Sequence, residues 1–190
     1  DFLDRVDILC SMGQTVMISN YLEYYKLVAY LARLTRLKIG LVLGIPNLEY
    51  IFEESHYEFL LGGILESFAT LFSRKVKLFV YPTLKDGAIY TCNEFKLPPT
   101  LEPLFQYLIR NDKIEDITDF NEQNLHISTN DVLEMIQKGE DGREQMVPDR
   151  VAEQIKTNYL FGYPCEVDYV PIAQQVRNHQ IEEKEQTISS

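Results

Sequence analysis

The chain reads as an α/β protein, a Rossmann-like parallel sheet flanked by helices with a helical hairpin at its C-terminal end. Two observations predict this. Through the first half, short β-rich runs alternate with longer helical ones, the pattern of a parallel sheet and its crossover helices. One of those runs, Val76 to Tyr81 (VKLFVY), is apolar on both faces in the manner of a central parallel strand. With 190 residues and an apolar share of 45%, the chain can bury a substantial core.

Thr15 to Ser19 (TVMIS) is the first strand candidate. A helix follows over Tyr21 to Leu34, with Leu22, Val28, Leu31 and Leu34 among its buried positions. Lys38 to Leu43 (KIGLVL) is the next strand, stopped by Gly44 and Pro46. Asn47 to Glu54 and Ile64 to Phe72 read as helices, the second with Ile64, Leu65, Phe68, Leu71 and Phe72 at helical spacing. Val76 to Tyr81 then completes a βαβαβ unit.

Beyond it the pattern loosens. Lys85-Asp86-Gly87 makes a turn before a predicted edge strand, Ala88 to Cys92. Pro98-Pro99 ends the extended run, and Thr100 is placed to cap a helix from Leu101 to Ile109 with Leu101, Leu104, Phe105 and Leu108 on one face. Lys113 to Ile117 supplies a further short strand. Asp131 to Gln137 and Pro148 to Asn158 form the terminal hairpin, Val132, Met135 and Ile136 facing Val151 and Ile155. The domain organisation expected is 1–124 as the α/β domain, 125–173 as a helical segment packed on it, and 174–190 as a flexible polar tail.

A formal charge of −11 argues against nucleic acid as a partner, because affinity for a phosphate backbone depends on Lys and Arg displacing counterions. No apolar run approaches the roughly 18 residues of a membrane span, and no basic-then-apolar leader is present. The expectation is a soluble, cytoplasmic protein with no membrane partner. Three cysteines, Cys10, Cys92 and Cys165, show no C-x-x-C spacing, which suits a reducing compartment and no structural zinc. The chain opens on Asp1, and Asp1 to Ile8 reads like a chain interior, so a C-terminal part of something longer is expected.

Open α/β sheets bind ligands beyond the carboxyl ends of their strands. That rule nominates Ser19 and Asn20, then Gly44 and Asn47, then Tyr81. Asn20 and Asn47 would present amides and Gly44 would admit a ligand close to the backbone; the structural alternative is that they cap helices and turn the chain. Gly62-Gly63 ahead of a helix is a candidate for an anion, or a turn between helices. Tyr21, Tyr24, Tyr25 and Tyr30 could stack on a base or simply pack. His126 stands near a motif described next, while the acidic run Glu115, Asp116, Asp119 and Glu122 lacks EF-hand spacing and reads as a solvated surface. No metal site is expected from these residues.

Ile127, Ser128, Thr129 and Asn130, followed by Val147-Pro148 and Leu160-Phe161, resemble the closing segment of nicotinate- and nicotinamide-mononucleotide adenylyltransferases. In that family an Ile-Ser-Ser-Thr-x-x-Arg motif opens a helix and its hydroxyls help to hold phosphates. Asn130 replaces the family's Thr and Leu133 its Arg, and the family's H-x-G-H motif is absent. The resemblance implies phosphate binding at Ser128, Thr129 and Asn130, adenylyl transfer in NAD synthesis, and Mg²⁺ as the assisting ion. Ser128 with Asp131 also fits a capping pattern. The stretch from Ile18 to Pro82 further resembles the C-terminal half of larger bacterial proteins of the same label.

Three readings follow. The first is a nucleotidyltransferase-related domain, incomplete as a catalyst. The second is a non-catalytic module binding a nucleotide or small phosphorylated ligand such as a sugar phosphate. The third is an interaction domain that forms a homo-oligomer.

Overall fold

The computed structural model describes residues 2–72, 75–140, 142 and 146–164. They divide into two compact units, Gln14–Thr129 and the described residues of Asp1–Gly13 with Asn130–Ser190.

The larger unit is α/β. Its sheet has three parallel strands, β1 (Ile39–Gly44), β2 (Val76–Tyr81) and β5 (Ile114–Asp116), in the order β1-β2-β5 with β2 at the centre. Ile39 pairs with Val76 and Gly44 with Tyr81, while Leu78 pairs with Ile114. Helices α2 (Tyr24–Leu34), α3 (Ile45–Ile51), α4 (Gly63–Leu71) and α5 (Glu102–Arg110) flank it. Between β2 and α5 a separate hairpin forms, β3 (Thr83–Lys85) with β4 (Ala88–Tyr90), turning at Asp86 and Gly87 with positive φ.

Side chains alternate across a strand, so one set from each strand points into the helical layer. Leu43, Val76, Leu78, Val80 and Ile114 are that set, and all are buried. They meet Leu48, Ile51, Phe52, Phe68, Leu71, Phe105 and Leu108. Phe52 is the hub, with ring centroids 5.0 Å from Phe68 and 5.5 Å from Phe105, both edge-on. Each such aromatic pair adds about 0.5–1.5 kcal/mol beyond burial itself.

The alternate set departs from expectation. Lys77 and Phe79 on β2 are half-buried, and Val42 on β1 is 69% exposed. Lys77 pairs with Glu115 and lies 5.5 Å above the Phe79 ring, which covers Gly40 closely enough that a Cβ there would sit 3.0 Å from it. Thus β2 is central by pairing but buried on one face only.

Other boundaries moved for local reasons. Thr15 to Ser19 is not a strand: the segment has no ladder partner among the described residues, and Met17 and Ile18 are exposed. A β-rich run becomes a strand only when an edge receives it. Helix α2 starts at Tyr24, leaving Leu22 outside and exposed, with Leu34 exposed as well; Val28 is buried as expected, and Tyr24 and Tyr25 pack against the core beside it. Helix α3 is shorter than expected, with Gly44 as its N-cap, and a 3-10 turn Glu54–Tyr57 follows. Residues 88–90 pair with β3, not with the main sheet, and Leu101 rather than Thr100 is the N-cap of α5.

The smaller unit contains α1 (Phe2–Ser11), α6 (Thr129–Lys138, its first residue assigned to the larger unit) and α7 (Asp149–Asn158). Ile8, Val132, Ile136, Ala152 and Ile155 are buried, one stripe from each helix. Ser11 Oγ lies 3.0 Å from Gln154 Oε1, and Arg5 stacks over Phe161. Helix α1 is additional to the sequence expectation. The final part of the expected helical segment, 165–173, and the expected tail, 174–190, lie outside the described residues, as does Cys165.

Candidate functional site

Three parallel strands end at Gly44, Tyr81 and Asp116, and the register brings them to one rim. Gly44 and Tyr81 are paired directly. Asn47 stands in the first turn of α3, where its Oδ1 accepts from Tyr24 Oη at 3.0 Å. Burial pushes the Tyr24 phenol above its ordinary pKa, with Tyr50 adding to the effect, so it remains a donor through neutral pH. Tyr81 is partly exposed and packs edge-on against Phe120 at 6.1 Å.

Asp116 is the charged member of the rim. Its Oδ1 accepts from the Cys92 backbone N–H at 3.0 Å, tying the loop after β4 to β5. Burial raises the Cys92 thiol well above the ordinary range, and the Asp116 carboxylate beside it adds to this. Cys92 is therefore a protonated packing group rather than a nucleophile. A cavity of about 390 Å³ runs along β5 and α5 from Asp112 to Asp116, its polar wall formed by Asn93, Glu102, Gln106, Asp112, Glu115 and Asp116. Gln106 Nε2 donates to Glu102 Oε1 at 2.9 Å, which orients both. Amides, phenols and carboxylates side by side supply donors and acceptors for hydroxyl groups and repel a bare phosphate.

The predicted residues distribute unevenly. Gly44, Asn47 and Tyr81 share this rim. Ser19 and Asn20 do not follow a strand; both are exposed in the extended segment ahead of α2. Gly62 N–H donates to the Glu66 carboxylate at 2.9 Å, so the position a phosphate would take at that helix start already holds an anion, while Gly63 turns the chain with φ +54°. Ser128 is half-buried and Thr129 and Asn130 are exposed at the start of α6; Thr129 and Asn130 fall in different units. His126 is exposed. Asn93, Glu102 and Gln106 were not indicated by the sequence, because only the packing of α5 against β5 and the Cys92–Asp116 bond that ties the loop after β4 to β5 place them beside Asp116.

No family model, curated protein or solved structure matches the chain. Among the described residues, no helix is long and apolar enough to cross a membrane. Nor does any group of three or more His, Cys, Asp and Glu side chains among them converge to hold a metal ion, so the Mg²⁺ that the resemblance implies finds no ligand cluster there.

Proposed function

We propose that this chain is a non-catalytic α/β binding module for the sugar part of a small molecule such as a nucleoside, whose hydroxyl groups are read in the cavity beside β5. The observation that carries the reading is the convergence of Asn93, Gln106, Glu102 and Asp116 on one cavity along β5, whose strand ends at Asp116. Paired carboxylate and amide groups suit vicinal hydroxyls. The adenylyltransferase relationship rests on Ile127 to Asn130 and Val147-Pro148; with Leu133 at the Arg position and no H-x-G-H, transfer chemistry is not part of the proposal.

Thermal-shift measurements with ribose 5-phosphate, adenosine, ATP and nicotinate mononucleotide test it, since a ligand bound only by the folded state raises its melting temperature. A saturable shift that Asn93→Ala and Gln106→Ala each reduce by several-fold in affinity is expected. Formation of a dinucleotide from ATP and the mononucleotide would reinstate the transferase reading. Absence of any shift would leave the rim without a function.

A further inference from the structure

The opposite end of the same sheet carries charge of the other sign. Acidic residues outnumber basic ones 29 to 18 in this chain, yet a cavity of about 720 Å³ at the amino ends of the strands is lined by Arg33, Arg36, Lys75 and Lys113 with no carboxylate among its lining residues. The fold builds it deliberately. Leu37 N–H bonds Thr35 Oγ1 at 3.1 Å, a turn that carries the chain from the end of α2 into β1 and sets Arg36 at the corner. Ile39 N–H donates to the Lys75 carbonyl at 2.9 Å and Leu78 N–H to the Lys113 carbonyl at 2.9 Å, so a lysine stands at the amino end of each of two neighbouring strands.

The ends of α2 and α4 also border this cavity, and a cation near a helix C-terminus offsets its dipole. That accounts for Arg33, in the last turn of α2. It does not account for the set, because none of the four cations has an ion pair or side-chain hydrogen bond among the described residues. Four unpaired like charges around one concavity repel one another, and the arrangement becomes favourable when a multiply charged anion fills it.

We infer that this amino-end cavity is a binding site for a small polyanion carrying two or more phosphate groups, separate from the carboxyl rim. Arginine forks match phosphate oxygens bidentately, and the lysines supply mobile charge to the remainder. Leu37, Ile39 and Phe72 line the same cavity and give it an apolar side.

Titration calorimetry of the whole chain with tripolyphosphate, orthophosphate and citrate tests the site. Tripolyphosphate is expected to bind at least tenfold tighter than orthophosphate or citrate, with affinity falling steeply as salt rises. Arg36→Gln and Lys75→Gln should each weaken it about fivefold and Lys96→Gln, an exposed lysine elsewhere, should not. All three sites are exposed, and matching melting temperatures would confirm intact folds. Equal binding of citrate would overturn the phosphate assignment, and unchanged tripolyphosphate affinity in the Arg36→Gln/Lys75→Gln double variant would remove the site. Asn93→Ala should leave tripolyphosphate binding intact, so failure here and failure of the rim reading are separable.

Discussion

Tyr57 shows how one buried polar group shapes the pH response. Its Oη donates to the Ile51 carbonyl at 2.8 Å inside the aromatic layer, and burial raises its pKa to about 12. An unfolded tyrosine titrates near about 10. The raised folded value therefore contributes stability in full below about pH 10, and that contribution is lost as pH rises through 10 toward 12. Its size is of order 1–2 kcal/mol after allowing for solvent screening. Chemical denaturation at pH 9 and pH 11 should show this decline, and Tyr57→Phe should flatten it; an unchanged slope would refute the assignment. Cysteine chemistry gives a second expectation: Cys10 is exposed and Cys92 is buried with a raised thiol pKa. A neutral alkylating reagent at pH 7.5 should label Cys10 well before Cys92 in the native protein, as peptide mass spectrometry would reveal.

Among the elements, β2 carries the most structure per residue. It is hydrogen-bonded on both edges, and Leu78 and Val80 at its centre are fully enclosed. Leu78→Ala removes packing from both the sheet and the helical layer and should cost about 2–5 kcal/mol, readable in urea unfolding. Hydrogen exchange should find the β2 amides slowest and those of the β3–β4 hairpin among the fastest, since two short strands alone are marginal. Comparable rates in the two would contradict the topology. The existence and approximate span of β1, β2, α4 and α5 were legible in the sequence, because long apolar runs and helical spacing report burial directly. Thr15 to Ser19 was legible only as a β-rich run; whether it joins a sheet depends on an edge elsewhere in the chain. The half-buried tyrosines of α2 illustrate the same limit, for Tyr24 and Tyr25 pack against the core while Leu22 and Leu34 remain exposed.

At the scale of the larger unit, the sheet separates two chemistries along its strands. Phenol, amide and carboxylate groups gather at the carboxyl ends, and cations gather at the amino ends. The first was partly legible, since Gly44, Asn47 and Tyr81 follow from the strand-end rule. The second has a simple mark: Lys75 and Lys113 each directly precede a strand and line the cavity. Parallel pairing turns that linear repetition into proximity. A salt titration should therefore separate the ends, with tripolyphosphate binding strongly weakened between 50 and about 300 mM salt and sugar binding at the rim little changed.

What the sequence determined by itself was the class of fold, the core face of α5 and most of that of α4, because periodicity of apolar residues is a local property set by 3.6-residue and 2-residue repeats. Tertiary structure decided which β-rich run entered the sheet, which face of β2 was left half-covered, and which polar residues became neighbours. Those outcomes depend on contacts between residues far apart in the chain, such as Asp116 with Cys92 and Lys75 with Ile39, and no local spacing encodes them.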